Sequence, residues 1–296
     1  KNLGLAVASV FGHDVAVFLN DDEVVLDEDF LTDAVYGLGA YTRQDLKILA
    51  KSGFFIDADD SPYAVPTTKW SEKHWSKAAE FNKVMEKAQN AKNRVTRANH
   101  LCGGCCALHA EAFTRIPFDP YITRGEDLDY VLNLRAHGLD SWFDKQWCVR
   151  MAPPEETASR PSVFMQDVYR WLYEYRKLEA LNARRDLRTI TPESLMPYPA
   201  PWLSEQVRGR VVRTALRRML TDPEHLDYLL ILVKGWHEAD KFAREAASRR
   251  YLQAALMRTG DVCGRAALAP IPADASATLS GIALATPDPA STGEMQ

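Results

Sequence analysis

Residues 14–31 read DVAVFLNDDEVVLDEDFL. Val15 to Leu19 form a short apolar run without polar alternation, the composition of a strand covered on both faces, as in parallel sheets. The run ends in Asn20 and three acids, Asp21, Asp22 and Glu23. Acids at the carboxyl end of such a strand stand where open α/β sheets bind ligands. Oxygen donors of this kind suit Mg2+ or Mn2+, above all beside a diphosphate that supplies the remaining ligands. A solvated acidic turn that caps the following helix accounts for the same letters, so the stretch needs its surroundings.

Outward from it, helical and strand patterns alternate. The opening KNLGLAVASVFG reads as a helix with Gly12 suited to its C-terminal cap. DEDFLTDAVYGLG and KHWSKAAEFNKVMEKAQNA read as helices, with the polar DADDSPY at 57–63 as a loop. That alternation predicts an α/β sheet carrying helices on its faces. The first residue is lysine, and a buried parallel strand at 14–21 needs neighbours on both sides, so further strands are expected upstream of Lys1.

After Pro153 and Pro154 the character changes. Phe164, Val168, Trp171, Tyr175, Leu178 and Leu181 recur every three or four positions and predict an amphipathic helix. A second helix is expected over about 202–220. A third begins at Asp222, Pro223 and Glu224, where Asp caps and Pro takes the first helical position, with a break near Gly235. Residues 266–296 are rich in Ala, Pro, Ser and Thr and cannot bury much surface. The expected division is therefore an α/β domain over 1–157, a helical region over 158–265 and a low-complexity tail over 266–296.

The 296 residues are 46% hydrophobic and 26% charged, with a net charge of −4. That balance gives no reason to expect nucleic acid as a partner. The longest apolar run, YLLILV at 228–233, is too short to span a bilayer. Five cysteines do not make a disulfide framework, and the expected compartment is the cytoplasm.

Two further stretches carry candidate chemistry. In PFDPYITRGEDLDYVLNLRAHG, residues 117–138, Gly125 precedes Glu126, Asp127 and Asp129 at the start of a helical pattern. Acids there are stabilised by the free N–H groups of a helix start. One of them facing a cleft serves equally as a general base toward a substrate hydroxyl. NHLCGGCCALHAEAF, residues 99–113, holds His100, Cys102, Cys105, Cys106 and His109, every ligand type that zinc prefers. Structural zinc sites join two ligand pairs across a longer loop, and no second CxxC exists. On a strand, Cys105 and His109 face one way and Cys106 and Leu108 the other, so four ligands do not converge on one ion.

Taken in order, KNLGLA, VFLNDDE, CGGCCALHAEAF, PFDPYITRGEDLDYVLNLRAHG and SWFDKQWCVRM resemble the family 2 glycosyltransferases, nucleotide-sugar-dependent enzymes of the GT-A fold. The resemblance covers residues 1 to about 157. It implies a Rossmann-like mixed sheet with helices on both faces, followed here by the α-helical C-terminal region. It implies that Asp22 matches the last acid of the DxD motif and holds Mn2+ or Mg2+ on the donor diphosphate. Asp21 lies beside it, and Asn20, in place of the first acid, approaches the donor. Asp127 matches the base that deprotonates the acceptor hydroxyl, with Glu126 positioning that acceptor and Gly103 and Gly104 giving room for its sugar. No histidine follows the last strand, and Arg150 is the residue placed to face the diphosphate. The activity implied is an inverting transfer from a nucleotide-diphosphate sugar to a saccharide or other hydroxyl acceptor. Arg208, Arg210, Arg213, Arg217 and Arg218 on one helix read as a solvated face, or as a contact for a membrane surface or a lipid-linked acceptor. The alternatives are a non-catalytic GT-A-like interaction protein and a zinc-stabilised binding module.

Overall fold

The computed structural model describes residues 1–122, 124–152 and 159–259. The expected boundary at 157 and the tail over 266–296 lie outside the described residues. Residues 1–251 make one compact unit, and the last helix continues from it to Thr259.

Six strands form one sheet: β1 (Val15–Phe18), β2 (Glu23–Val24), β3 (Ala50–Ile56), β4 (Val95–Ala98), β5 (Cys106–His109) and β6 (Ser141–Met151). Their order is β1-β5-β3-β6-β2, with β4 also on β6. Only β3 and β6 pair parallel; β5 is antiparallel to both β1 and β3. β1, β3 and β6 therefore run the same way, and their carboxyl ends share one side of the sheet. The acid-ended strand is β1, but it departs from expectation. Its only described neighbour is the antiparallel β5, and its four residues are half-buried rather than enclosed.

The centre of the sheet is β3, a strand that carries Lys51, Ser52 and Gly53 at buried positions. Gly53 is required there, since a Cβ would lie 1.9 Å from the Trp147 carbonyl oxygen. Opposite it, Ser52 faces Phe143 while Phe54 faces Cys148, so residues 144–147 of β6 bulge from the ladder. The bulge delivers Asp144 to the Lys51 ammonium at 2.9 Å, and both side chains are fully buried. Arg94 adds a second cation to Asp144, which repays the desolvation of the carboxylate.

Helices cover both faces, as expected. α1 (Asn2–Val10), α4 (Ala110–Phe113) and α5 (Glu126–Ala136) enclose Leu5, Leu49, Cys106, Leu108, Phe113 and Val131 on one face. α2 (Phe30–Val35) and α3 (Ala78–Gln89) cover the other through Phe30, Ala34 and Met85. Gly12 follows α1 with φ 70°, the left-handed C-terminal position its sequence predicts. α2 is far shorter than the 13-residue pattern that suggested it.

The chain then adds a helical layer. α6 (Arg160–Asn182) lays Phe164, Val168, Trp171 and Leu178 against Leu128 and Leu132 of α5. α7 (Gln206–Thr221), α8 (His225–Leu230) and α9 (Trp236–Thr259) complete that core. The third helix begins later than expected: α8 starts at His225 with Glu224 as its N-cap. Asp222, which ends α7, accepts the Glu224 N–H in the turn between the two helices, so Pro223 is not the first helical position. The expected break near Gly235 is a π-helical turn, Ile231–Gly235, that passes the chain into α9. The α7 arginines are mostly not a free basic face. Arg208 pairs with Asp240, Arg218 with Glu72, and Arg210 and Arg217 donate to the His74 and Trp70 carbonyls. Among the described residues, no helix is long and apolar enough to cross a membrane.

Candidate active site

The 20–23 turn closes the carboxyl end of β1. Asn20 donates from its backbone N–H and its side-chain amide to Glu23, at 2.9 and 2.7 Å. That pair turns Glu23 inward, to 9% exposure. Burial raises the Glu23 pKa above the usual carboxylate range, and the Asn20 hydrogen bonds only partly oppose it. Asp21 and Asp22 stand exposed at the tip of the turn. The Asp22 carbonyl accepts the Ala152 N–H at 2.8 Å, which ties the tip to the end of β6.

Gly104 lies directly against this turn, and Gly103 against Lys1 and the acids of α5. A Cβ on Gly104 would fall 1.9 Å from a Glu23 carboxylate oxygen and 2.3 Å from the Asn20 amide nitrogen. A Cβ on Gly103 would fall 2.6 Å from the Lys1 ammonium and 3.2 Å from the Asp127 Cβ. The room expected for a sugar beside these glycines is thus taken by Glu23 and Lys1. What the missing side chains permit is close approach of the acid turn to the acid pair.

That pair opens α5. Gly125 caps it in the left-handed region, at φ 78°, and the Arg170 guanidinium sits where any Cβ would go. Glu126 accepts from the Lys1 ammonium at 2.7 Å, and Lys1 also donates to the Gly103 carbonyl at 2.8 Å. Burial acts to raise the Glu126 pKa, but the Lys1 ammonium outweighs it and holds the carboxyl below its usual range. Asp127 is half-buried, and one carboxylate oxygen accepts the Leu128 N–H at 2.7 Å. Asp129 is fully buried and serves structure: it meets the Lys177 ammonium, which also binds Asp119 at 2.8 Å.

Glu126 and Asp127 line a pocket of about 270 Å³ together with His100, Cys102, Arg170 and Tyr198. Arg170 comes from α6 and Tyr198 from the segment that follows it. Burial opposes the Arg170 charge, yet Glu174 first, then Tyr198 and Asp127, push its pKa up. Neither residue stands out in sequence, because Arg170 occupies an ordinary polar position of an amphipathic helix. Lys1 and Glu23 are also members that the motifs do not mark.

Arg150 sits on β6 beside Val24 of β2, with its guanidinium on Asp60 of the 57–63 loop. It does not line the acid pocket. The cysteine stretch is core, not a zinc knot. Cys102 and Cys105 pack with Trp147 and Val149 on one face of the sheet, and Cys106 packs with Leu5 and Phe113 on the other. His100 lies between Phe81 and Phe143, with ring centroids 6.1 and 5.3 Å away. Burial raises the pKa of all three thiols, that of Cys106 to about 12, so they are inert.

Among the described residues, no three His, Cys, Asp or Glu side chains converge to hold a metal ion. Asp21 and Asp22 nonetheless fit a hard divalent cation of the Mg2+ or Mn2+ type. Such ions are held by one or two carboxylates with the remaining ligands from phosphate and water. The exposed tip also lies beside the buried Glu23, whose charge Asp22 already disfavours.

No family model and no curated protein matches the chain. Among solved structures, the mannosyltransferase PcManGT from Pyrobaculum calidifontis, in complex with GDP-Man and Mn2+, aligns with a TM-score of 0.41 at 15% identity. The alignment covers 85% of this chain and 66% of that one.

Proposed function

We propose that this chain is a glycosyltransferase of the GT-A, family 2 kind, moving a sugar from a nucleotide-diphosphate donor to an acceptor hydroxyl with inversion. The observation that carries this reading is the meeting of three separate motifs at the carboxyl ends of β1, β3 and β6. The 20–23 turn, Gly103 with Gly104, and Glu126 with Asp127 are far apart in sequence and touch through the glycines. A merely helix-capping role for the acids gives no reason for that meeting.

Asp127 is the base. One of its oxygens is held by the Leu128 N–H, which leaves the other to take the acceptor's proton. The acceptor oxygen then forms its bond to the anomeric carbon as the bond to the diphosphate breaks, with the electron pair leaving on the diphosphate. Glu126, fixed by Lys1, is the second carboxylate at the acceptor and is kept ionised to accept its hydrogen bonds. Asp22, with Asp21 beside it, would hold the Mg2+ or Mn2+ that supplies charge neutralisation to the departing diphosphate. Arg150 reaches the donor only by exchanging Asp60 for it.

The test is Asp127→Asn. The amide keeps the size and the hydrogen bond but takes no proton at neutral pH. Donor affinity should stay near wild type while transfer falls by about two to four orders of magnitude, the usual worth of a placed base. Glu126→Gln is the control for reversed roles. Full turnover by Asp127→Asn would eliminate the mechanism.

A further inference from the structure

His100 lines the acid pocket and also a second, larger cleft of about 600 Å³. This cleft opens between the end of α3, strand β4 and the 188–197 segment. Its charged lining is all of one sign: Lys87, Arg97, Arg135 and Arg188, with no Asp or Glu among the lining residues. Only Arg97 has a carboxylate partner, Asp140, behind the wall. Arg135 is held by neutral acceptors, the Asn99 side chain and the Ser194 carbonyl, and its Nε is buried without a partner. Burial, and Arg97 next, lower the Arg135 pKa, and Asp140 only partly opposes them.

His100 adds a second, independent sign of a built site. It is 4% exposed, and neither ring nitrogen has a hydrogen-bond partner. A buried neutral imidazole without partners is costly unless something that fills the adjoining space bonds to it. The rest of the wall is apolar, including Ala88, Ile190 and Met196, which suits a carbon skeleton.

We infer that this cleft binds a small phosphate-bearing organic molecule, its phosphate on Arg135 and Arg188 and its skeleton along Ala88 and Ile190 toward His100. Two guanidiniums and an ammonium without carboxylate partners match a multiply charged phosphate better than one carboxylate, and planar guanidinium groups bind phosphate oxygens in pairs. A volume of this size is that of a small-molecule site. The inference uses none of Asp22, Glu126 or Asp127, and His100 is the residue that its cleft shares with the acid pocket.

The experiment is calorimetry on the full chain in EDTA, which silences metal-dependent donor binding, with inorganic pyrophosphate as the probe and citrate as its carboxylate counterpart. Wild type should bind pyrophosphate more tightly than citrate. Arg188→Ala removes an exposed side chain with little effect on folding, and it should weaken pyrophosphate binding about tenfold, the worth of one charge-assisted contact. Lys87→Ala should act in the same direction, and Arg213→Ala, an equal loss of charge on α7, should leave affinity unchanged. No binding of pyrophosphate at millimolar concentration would overturn the inference. So would an unchanged affinity in Arg188→Ala, or tighter binding of citrate.

Discussion

At the scale of single residues, His100 and Asp22 show how the same kind of letter carries different roles. His100 is enclosed by Phe81 and Phe143, and burial pushes its pKa from the ordinary 6.5 down to about 4. Between those values the unfolded chain binds a proton that the folded chain refuses. Its contribution to stability is therefore complete above the unfolded value and is lost as pH falls, by about 1.4 kcal/mol per unit down to the folded one. His100→Phe fills the same slot without titrating, and urea midpoints at pH 7.5 and pH 5 should differ less in the variant than in wild type. An equal pH slope would mean that other groups set it. Asp22 is the opposite case, exposed and packed against nothing that folding needs. Asp22→Ala should keep the melting temperature and lose Mn2+-dependent affinity for nucleoside diphosphates, read by calorimetry with and without the metal. The motif letters single out Asp22 and Asp127 as candidates. They did not single out Glu23, because what turns it inward is the Asn20 side chain, a local hydrogen bond that no periodicity encodes.

Elements whose burial is apolar were legible in sequence, and those whose burial is polar were not. β6 coincides with the stretch SWFDKQWCVRM, which only the family resemblance singles out, whereas α6 is marked nearly to its limits by the Phe164 to Leu181 spacing, an apolar signature. β3, the centre of the sheet, left none. Its Lys51, Ser52 and Gly53 interrupt any apolar pattern, and the lysine is neutralised by Asp144, which the β6 bulge delivers. Gly53 of β3 and Gly104, in the turn before β5, are separable by experiment. A Cβ at Gly53 meets the Trp147 backbone, which cannot yield, whereas a Cβ at Gly104 meets the end of the Glu23 side chain. Gly53→Ala should therefore cost more stability, by overpacking worth about 1–3 kcal/mol or more. Gly104→Ala should fold with a smaller loss and instead weaken donor binding, since Glu23 and the turn beside it must shift. Equal denaturant midpoints for the two variants would contradict the distinction between backbone and side-chain obstacles.

For the whole molecule, the helical layer forms part of the wall of the pocket that Glu126 and Asp127 line. Its arginines had suggested an outward-facing surface, yet α6 sends Arg170 over Gly125 and Lys177 between Asp119 and Asp129. The third acid of GEDLD is thus an anchor between layers, while the second faces the pocket. The amino-acid order placed both on α5 but could not tell them apart, because the distinguishing partner lies 48 residues away. Lys177 is fully buried, as are both carboxylates it meets. Replacing it by methionine keeps the length of the side chain but removes the ammonium that two buried acids share, and breaking such a network from one side costs about 3–5 kcal/mol. The loss should appear as a lower urea midpoint. Where the variant still folds, turnover should fall too, because α5 carries Asp127 and Gly125 supports Arg170. Lys177→Met combined with Asp119→Asn and Asp129→Asn removes the three charges together and should recover part of the stability. If the triple variant is no more stable than the single one, the lysine matters through its packing rather than through its charge.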